Sequence, residues 1–432
     1  MVSGIFKGKA RMRILLIVTS SGDTFFCGNC LRDALYAQAL RQAGHDVVIM
    51  PLYLPLTAQS LRADTPLFFP ATSYYVAQTY FGNRAMPRAL AAFFESPPLL
   101  RLAALFSGAT SAKGMEQMTL SMINGDNIHF VQQAEKLMNW IAGSARPDVV
   151  HLSTSMLIGI AKAMKDRLRI PVVCSLQDEE VWLDSLDGRF AQAAWEAIGQ
   201  QSKYVDRFIA SSAFYRSVAS RKIPAIQAIE VVYPGVDTAT YARADGPKEP
   251  TIGFHYRMNH ANGLDILAQA FVHLKKGNAV PNLKLKIGGG YTRENKRFVA
   301  RVRKMLRPYL PDVIWSDTYS SDEHADFYNG ISVICAPLRF SEAFGLYICE
   351  AFAAGRPAVV PDTGSFREIV GDAGIIYAPN DAEHLGDALK TILTDTPRYE
   401  QCKANALKLS HERYNAASTA EKLAALYRQL TR

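Results

Sequence analysis

The sequence predicts an α/β fold with two Rossmann-like domains. Short β-rich runs alternate with helical patterns along the chain, which is typical of parallel sheets covered by helices. The alternation stops at a polar stretch, residues 242–250, and then begins again. With 432 residues, of which 49% are apolar, the chain can build two cores. Ligands of such folds bind beyond the carboxyl ends of the strands, so binding and catalytic residues are expected in the loops that follow the strands.

The first half of the chain reads as strands separated by loops and helices. Residues 14–18 predict a buried strand, and residues 31–43 predict an amphipathic helix that ends at a glycine. A further helix is predicted over residues 156–168. The other predicted strands of this half are residues 47–50, 148–151, 171–174 and 208–210. We assign an N-terminal domain to residues 12–236, with a less regular helical insertion over about 51–145.

The second half repeats the alternation after an interdomain crossing at residues 233–237. We assign a C-terminal domain to residues 237–415 and expect residues 416–432 to form a helix that packs back on the N-terminal domain. Helices are predicted over residues 263–274 and 345–354. The predicted strands of this half are residues 251–256, 283–287, 333–336 and 357–360.

Composition excludes several classes of protein. The apolar content excludes fibrous, disordered and small disulfide-rich chains. The 48 basic and 40 acidic side chains give a net charge of only +8, so no nucleic-acid partner is expected. Six scattered cysteines fit a reducing, cytoplasmic setting. The sequence has no stretch of eighteen uninterrupted apolar residues, so no membrane span is predicted. No Asp-x-Asp occurs, so we expect no metal-bridged diphosphate.

The most informative segment is residues 337–357, which follows a predicted strand. A helix begins there near Gly345, so the backbone N–H groups from Phe344 to Tyr347 lie at a helix N-terminus, which is an anion site. Eight residues at about 1.5 Å each place Glu342 and Glu350 roughly 12 Å apart. This spacing suits a nucleotide sugar, with the diphosphate on the helix and a carboxylate at each end. The alternative is that both glutamates merely cap the helix and face solvent.

The same segment resembles the E-x7-E segment of the retaining family-4 glycosyltransferases of GT-B fold. Three more segments resemble that family in the same order, namely VVYPGVD at 231–237, GLDIL at 263–267 and DTGSFREIVG at 362–371. The resemblance implies a GT-B fold with two domains facing a central cleft. It further implies a hexosyltransferase that moves a sugar, with retention, from a nucleoside diphosphate sugar to a hydroxyl of a glycan or lipid-linked cell-envelope precursor. No cofactor beyond this co-substrate is expected.

The resemblance also implies roles for individual residues. Glu342, Arg257 and His151 are expected to be catalytic, with Glu342 binding the transferred sugar. Arg257 is expected to clamp the diphosphate, a bidentate task that suits a guanidinium, although a surface salt bridge is the alternative. Glu350 is expected to bind the ribose. The other expected donor-binding residues are Gly289, Tyr319, Phe344, Gly345 and Leu346.

Several positions depart from the family pattern, and one of them is Ser153, which stands where the family has a second histidine. Asn262 stands where the family has a lysine, so either Arg339 or Lys296 supplies the second charge or turnover is impaired. Gln177 stands where a histidine often follows the strand. The expected acceptor-side residues are Gly28, Asn29, Gln177 and Asp178. For His151, packing in the core is an equal alternative to a role in the site.

Other interpretations stay open. Cys27 and Cys30 have the spacing of a redox pair at a helix N-terminus, although two small side chains lining a loop are favoured over that pair and over zinc. The aromatic residues and arginines of 74–106 predict core packing of an inserted helical region, with an interfacial membrane contact or a groove for a lipid-linked acceptor as alternatives. The alternative functions are a sugar-nucleotide-binding protein without turnover, a GT-B sugar-nucleotide epimerase and a thioredoxin-like oxidoreductase.

Overall fold

The structure is a computed structural model that describes residues 11–19, 28–52, 68–69, 87, 89–90, 93, 96, 115–241, 246–316 and 324–431. Its described residues form two compact units. Asn29–Val232 lie in the first unit, Tyr233–Ser418 in the second, and the chain from Thr419 onward belongs to the first again. Each unit holds one six-stranded parallel sheet, so the predicted α/β fold with two Rossmann-like domains is confirmed.

The sheet of the first unit has the strand order β2-β1-β3-β4-β5-β6. Its strands are β1 Arg13–Val18, β2 Asp46–Pro51, β3 Val149–Leu152, β4 Val172–Leu176, β5 Arg207–Ala210 and β6 Ile229–Val231. In register, Ile14 of β1 lies opposite Val47 of β2 and Val149 of β3. Every residue of β3 and β4 is buried, because helices cover both faces of a parallel sheet.

Helices connect these strands. They are α1 Gly28–Gln42, α2 Glu116–Asn124, α3 Ile128–Trp140, α4 Ala161–Ala163, α5 Glu179–Leu183, α6 Gly188–Gln201 and α7 Ala213–Lys222. The stretch 156–168, predicted as a helix, is helical throughout but is not one continuous α-helix. That stretch begins as a 3₁₀ turn, Ser155–Ile160, and ends as a π turn, Met164–Leu168. Gly159 lies so close to α2 that an added Cβ would stand 2.2 Å from the Met122 carbonyl oxygen, which fixes the local backbone path.

The sheet of the second unit has the strand order β12-β11-β10-β7-β8-β9. Its strands are β7 Thr251–His255, β8 Lys284–Gly288, β9 Val313–Trp315, β10 Val333–Cys335, β11 Ala358–Pro361 and β12 Gly374–Tyr377. An apolar core lies between this sheet and its helices, with Phe254, Leu267 and Leu285 wholly buried in it.

The helices of the second unit follow the same alternation. They are α8 Thr238–Tyr241, α9 Leu264–Lys276, α10 Lys296–Leu306, α11 His324–Asn329, α12 Leu346–Ala353, α13 Phe366–Val370, α14 Ala382–Thr394 and α15 Thr396–Glu412. The last helix, α16 Ala416–Leu430, begins in the second unit and continues into the first.

The predicted insertion over 51–145 lies only partly within the described residues. Its described helices are α2 and α3, and the aromatic-rich segment 74–106 lies almost entirely outside them. None of the helices in the described part of the chain combines the length and the apolar character that crossing a bilayer requires.

Candidate functional site

Loops after three strands of the second sheet meet at its carboxyl edge. Arg257 follows β7, Gly289 follows β8, and Glu342 follows β10. The Tyr256 hydroxyl donates a hydrogen bond of 3.2 Å to Oε2 of Glu342, and the Met258 amide donates one of 3.0 Å to the carbonyl of the glycine loop after β8. The structure therefore brings Glu342 and Gly289 to the residues that flank Arg257, as one cluster of loops.

Gly289 is required by a close backbone approach. Its φ is +114°, and an added Cβ would lie 2.3 Å from the carbonyl oxygen of Tyr256. No other residue type fits there without moving the loop that carries Arg257. The glycine loop therefore holds the Arg257 loop in place by contact of main chain with main chain.

Helix α12 begins directly after Gly345, as the sequence predicts. Gly345 has a φ of +79°, which turns the chain into the helix, and all eight residues from Leu346 onward are buried. The first N–H groups of a helix have no acceptor within it, so this start favours an anion. Phe344 is fixed just before it, because its ring packs on Tyr233 at 6.2 Å and on Tyr414 at 5.9 Å between centroids.

The two glutamates do not face solvent, which contradicts the capping alternative. Glu342 and Glu350 are each only 4% exposed. Tyr241 donates a hydrogen bond of 3.0 Å to Oε1 of Glu350, and Tyr328 donates one of 2.6 Å to Oε2. Each carboxylate oxygen of Glu350 therefore has a tyrosine donor. Sequence reasoning missed both tyrosines, because they come from helices distant in sequence.

Asn262 has a structural task at the position where the family lysine is expected. Its side-chain amide donates a hydrogen bond of 2.7 Å to the carbonyl of Arg257, and only 3% of Asn262 is exposed. Arg339 is engaged elsewhere, since its guanidinium binds both carboxylate oxygens of Asp265 at 2.8 Å. Burial favours the neutral acid, but the hydrogen bonds and charge of Arg339 bring the pKa of Asp265 below its ordinary value. Lys296, at the start of α10, is exposed.

The expected acceptor-side residues gather at the carboxyl edge of the first sheet. Gly28 and Asn29 open α1, and the Asn29 amide lies 3.5 Å from the carbonyl oxygen of Gln177. Asp178 follows with a φ of +60°. Arg32 was missed by sequence reasoning: it is 2% exposed and donates a hydrogen bond of 3.1 Å to Oε1 of Gln177. A buried arginine on an amphipathic helix gives no sequence signal of its own.

Glu179 is the middle one of three consecutive acidic residues, 178–180, and sequence reasoning did not single it out. It is 1% exposed and accepts hydrogen bonds from the Thr154 hydroxyl and the Gln177 amide, at 2.9 and 2.8 Å. The Tyr215 hydroxyl lies 2.7 Å from Glu179 and 2.6 Å from Glu180. Burial raises the pKa of Glu180 above its ordinary value. Glu179 thus ties together the loops that follow β3 and β4.

His151 lies inside β3, and its surroundings favour the core-packing alternative. Its Nδ1 is 2.7 Å from the Tyr427 hydroxyl and its Nε2 is 2.8 Å from Oγ of Ser175. Burial and the nearby charge of Arg32 lower the pKa of His151 to about 3, so the ring is neutral at physiological pH. A catalytic role for His151 stays a prediction that this geometry does not support.

Two of the predicted residues lie outside the described part of the chain. These are Tyr319 on the donor side and Cys27 of the Cys27/Cys30 pair. Among the described residues, no group of three or more His, Cys, Asp or Glu side chains is placed to hold a metal ion.

Two family models match the chain, one mostly on the first unit and one on the second. The model for Glycosyltransferase Family 4 matches residues 119–240, and the model for Glycosyl transferases group 1 matches residues 242–409. The second match contains β7 to β12 and the loops that carry Arg257, Gly289 and Glu342. Together the two matches extend over most of the described residues.

Relatives and solved structures agree with these matches. The lipopolysaccharide core biosynthesis mannosyltransferase LpsB of Rhizobium meliloti is 28% identical over 194 residues, which are 43% of this chain and 53% of LpsB. The chain spans about half the length of the first curated relatives it matches.

Similarity to solved structures extends over nearly the whole chain. Sucrose-phosphate synthase from Thermosynechococcus elongatus is 15% identical, with a TM-score of 0.69 over 97% of this chain and 99% of that one. HepE from Anabaena, in complex with UDP and glucose, is 15% identical with a TM-score of 0.64 over 97% and 100%. The chain is thus similar to glycosyltransferases along both units, and it shares the GT-B fold of these solved structures.

Proposed function

We propose that the protein is a retaining glycosyltransferase that moves a hexose from a nucleoside diphosphate sugar to a hydroxyl of a glycan or lipid-linked acceptor. The observation that carries this proposal is the cluster at the carboxyl edge of the second sheet. There, two buried glutamates bracket the start of α12, and the loop that carries Arg257 adjoins one of them. The likeness to a UDP-bound structure supports a nucleotide-sugar donor.

Each group in the cluster has a task in this reaction. The helix start and Arg257 bind the diphosphate and stabilise its charge as the bond from phosphate oxygen to sugar C1 breaks. Glu342 accepts hydrogen bonds from sugar hydroxyls, and Glu350 from the ribose. The acceptor oxygen attacks C1 from the face that the diphosphate leaves, and its proton passes to a phosphate oxygen of the leaving group. The proposed reaction uses no metal.

The setting we propose is the cytoplasm. Cys174, Cys335 and Cys349 are buried thiols that form no disulfide, which supports a reducing compartment. The acceptor-side residues that we propose are Gly28, Asn29, Gln177 and Asp178, with Arg32 holding Gln177 in place.

The test is a screen of purified protein against UDP-, ADP- and GDP-hexoses. Thermal stabilisation by one donor class, followed by slow donor hydrolysis and faster release of nucleoside diphosphate with an acceptor, is the expected result. Stabilisation by an NAD⁺ or flavin cofactor and by no sugar nucleotide would contradict the proposal.

A binding protein without turnover is the second candidate. Asn262 occupies the lysine position and is committed to the Arg257 carbonyl, while Arg339 is paired with Asp265. Measurable donor binding, combined with no hydrolysis or transfer for any hexose donor, would favour this candidate over the enzyme.

A further inference from the structure

Most of the chain's net positive charge lies on one short segment of the second unit. Residues 293–307 contain seven basic side chains and one acidic side chain, a net +6 out of +8 for the whole chain. The rest of the chain is therefore nearly balanced. The basic side chains are Arg293, Lys296, Arg297, Arg301, Arg303, Lys304 and Arg307, and all seven are exposed.

Five of these charges lie in α10, where the fold gathers them on one face, and Arg293 and Arg307 flank the helix. The buried side chains Phe298, Val299, Val302 and Leu306 point into the core of the unit. At about 100° per residue, the basic side chains of α10 lie on the opposite side of the helix. Arg303 also stacks over Trp315 of β9 at 4.8 Å, which fixes one edge of this basic face against the sheet.

The charges at the C-terminal end of the face are not neutralised locally. Arg301, Lys304 and Arg307 make no ion pair with any residue in the described part of the chain. Seven like charges within so short a segment repel one another and lower stability, so an anionic surface laid against them would be favoured. Lys296, at the start of the helix, is the residue that was considered for a second charge on the diphosphate. Lys304 lies about 12 Å from it along the helix axis, so nucleotide binding does not explain the charges at this end.

An exposed apolar side chain lies in the turn that follows α10 in the sequence. Leu310 lies in the 3₁₀ turn Arg307–Asp312 and is 59% exposed. Basic side chains that bind lipid phosphates, next to an apolar side chain that can enter the interface, are the combination that binds an anionic bilayer. A nucleic acid would use the basic face but would have no use for Leu310. Because the apolar face of α10 is already buried in the core, the helix would dock on the headgroups and not insert.

We propose that the basic face of α10, together with Leu310, is a docking surface for an anionic lipid bilayer. The proposal goes beyond glycosyl transfer and does not depend on it. Attraction of this kind is screened by salt, so binding requires anionic lipid and weakens as the salt concentration rises.

The experiment is co-sedimentation of the full chain with vesicles of phosphatidylcholine, with or without about 30% phosphatidylglycerol, at about 0.05 and 0.5 M NaCl. The wild type is expected to bind only the anionic vesicles and to be released by high salt. The triple variant Arg301→Glu/Lys304→Glu/Arg307→Glu is expected to bind them at least about tenfold more weakly. Leu310→Ser is expected to weaken binding by less, with the salt dependence kept.

A matched control changes charge elsewhere on the same unit. Lys390→Glu/Arg398→Glu/Lys408→Glu alters three exposed basic residues of α14 and α15 and makes the same change in net charge. It is expected to keep vesicle binding, and circular dichroism checks that both triple variants fold. Equal binding to neutral vesicles, equal loss in both triple variants, or tighter binding to duplex DNA than to anionic vesicles would overturn the proposal. If the control variant does not fold, Lys390→Glu alone against Lys304→Glu alone gives the same comparison.

Discussion

Tyr328 donates a hydrogen bond of 2.6 Å to Oε2 of Glu350, and the same hydroxyl oxygen lies 3.1 Å from Nδ1 of His255. Because the single hydroxyl proton goes to the carboxylate, Nδ1 of His255 carries a proton and donates to the tyrosine oxygen. His255 and Tyr328 are 5% and 0% exposed. The carboxylate proposed to bind the ribose is therefore held at the end of a buried chain of hydrogen bonds that starts in β7.

Removing the Tyr328 hydroxyl tests whether this chain of hydrogen bonds supports donor binding. Tyr328→Phe keeps the ring but leaves Oε2 of Glu350 without its shortest hydrogen bond, at a cost of about 1 kcal/mol. We expect donor affinity, measured by calorimetry, to fall about fivefold, with a smaller change in transfer rate at saturating donor. Tyr309→Phe in the same unit is the control. Equal donor affinity in Tyr328→Phe and the wild type would show that Glu350 does not need Tyr328 to bind the nucleotide.

Glu342→Gln separates sugar binding from nucleotide binding. The amide keeps the shape of the side chain but removes the negative charge that we propose accepts sugar hydroxyls next to Tyr256. We expect transfer to fall by about two orders of magnitude. Binding of the nucleoside diphosphate alone is expected to stay within about twofold. Glu383→Gln, on the exposed face of α14, is the matched control. Full turnover in Glu342→Gln would refute the assignment of this residue.

Asn262 is expected to position the Arg257 loop. Asn262→Ala removes the hydrogen bond of 2.7 Å to the Arg257 carbonyl, and Asn262→Asp keeps the size of the side chain but lacks the amide donor. Both variants are expected to raise the donor KM about tenfold, equivalent to about 1.4 kcal/mol. The acceptor KM should not change. If only the alanine variant is impaired, packing and not the hydrogen bond explains the effect.

His151 makes the stability of the first unit depend on pH. The pKa of His151 is about 3 in the folded chain and about 6.5 in an unfolded one. Between these values the unfolded state binds a proton that the folded state does not, so the contribution of this group to stability is complete above pH 6.5 and is lost as the pH falls. The slope is at most about 1.4 kcal/mol per pH unit.

Urea unfolding of the wild type and of His151→Gln across that range measures this effect. The variant is expected to have a shallower pH dependence below pH 6.5, while His411→Gln, an exposed residue of α15, should follow the wild type. The difference between variants isolates His151 from the buried Asp33 and from Glu180, whose raised pKa values act in the opposite direction. Identical slopes for all three proteins would exclude a neutral, buried His151.

The strands that sequence patterns missed share one property. β6, β9 and β12 all lie at the edges of their sheets, where at least one residue of each strand is only partly buried. An interior strand of a parallel sheet is buried on both faces and needs a continuous apolar run, which the sequence displays. β9 is VIW and β12 is GIIY, and an apolar run of only three or four residues does not distinguish a strand from part of a helix.

Sequence alone determined the α/β class, the alternation in two halves and the helix start between Glu342 and Glu350 at Gly345. These follow from local patterns: apolar runs, a glycine before a helix and a carboxylate within an apolar helix. Only the tertiary structure decided that Tyr328 and Tyr241 hold Glu350, that Asn262 holds the Arg257 carbonyl, and that His151 is enclosed by Tyr427 and Ser175. Such partners lie up to 276 residues apart, and a hydrogen bond between distant side chains depends on how helices pack, which leaves no periodic trace in the sequence.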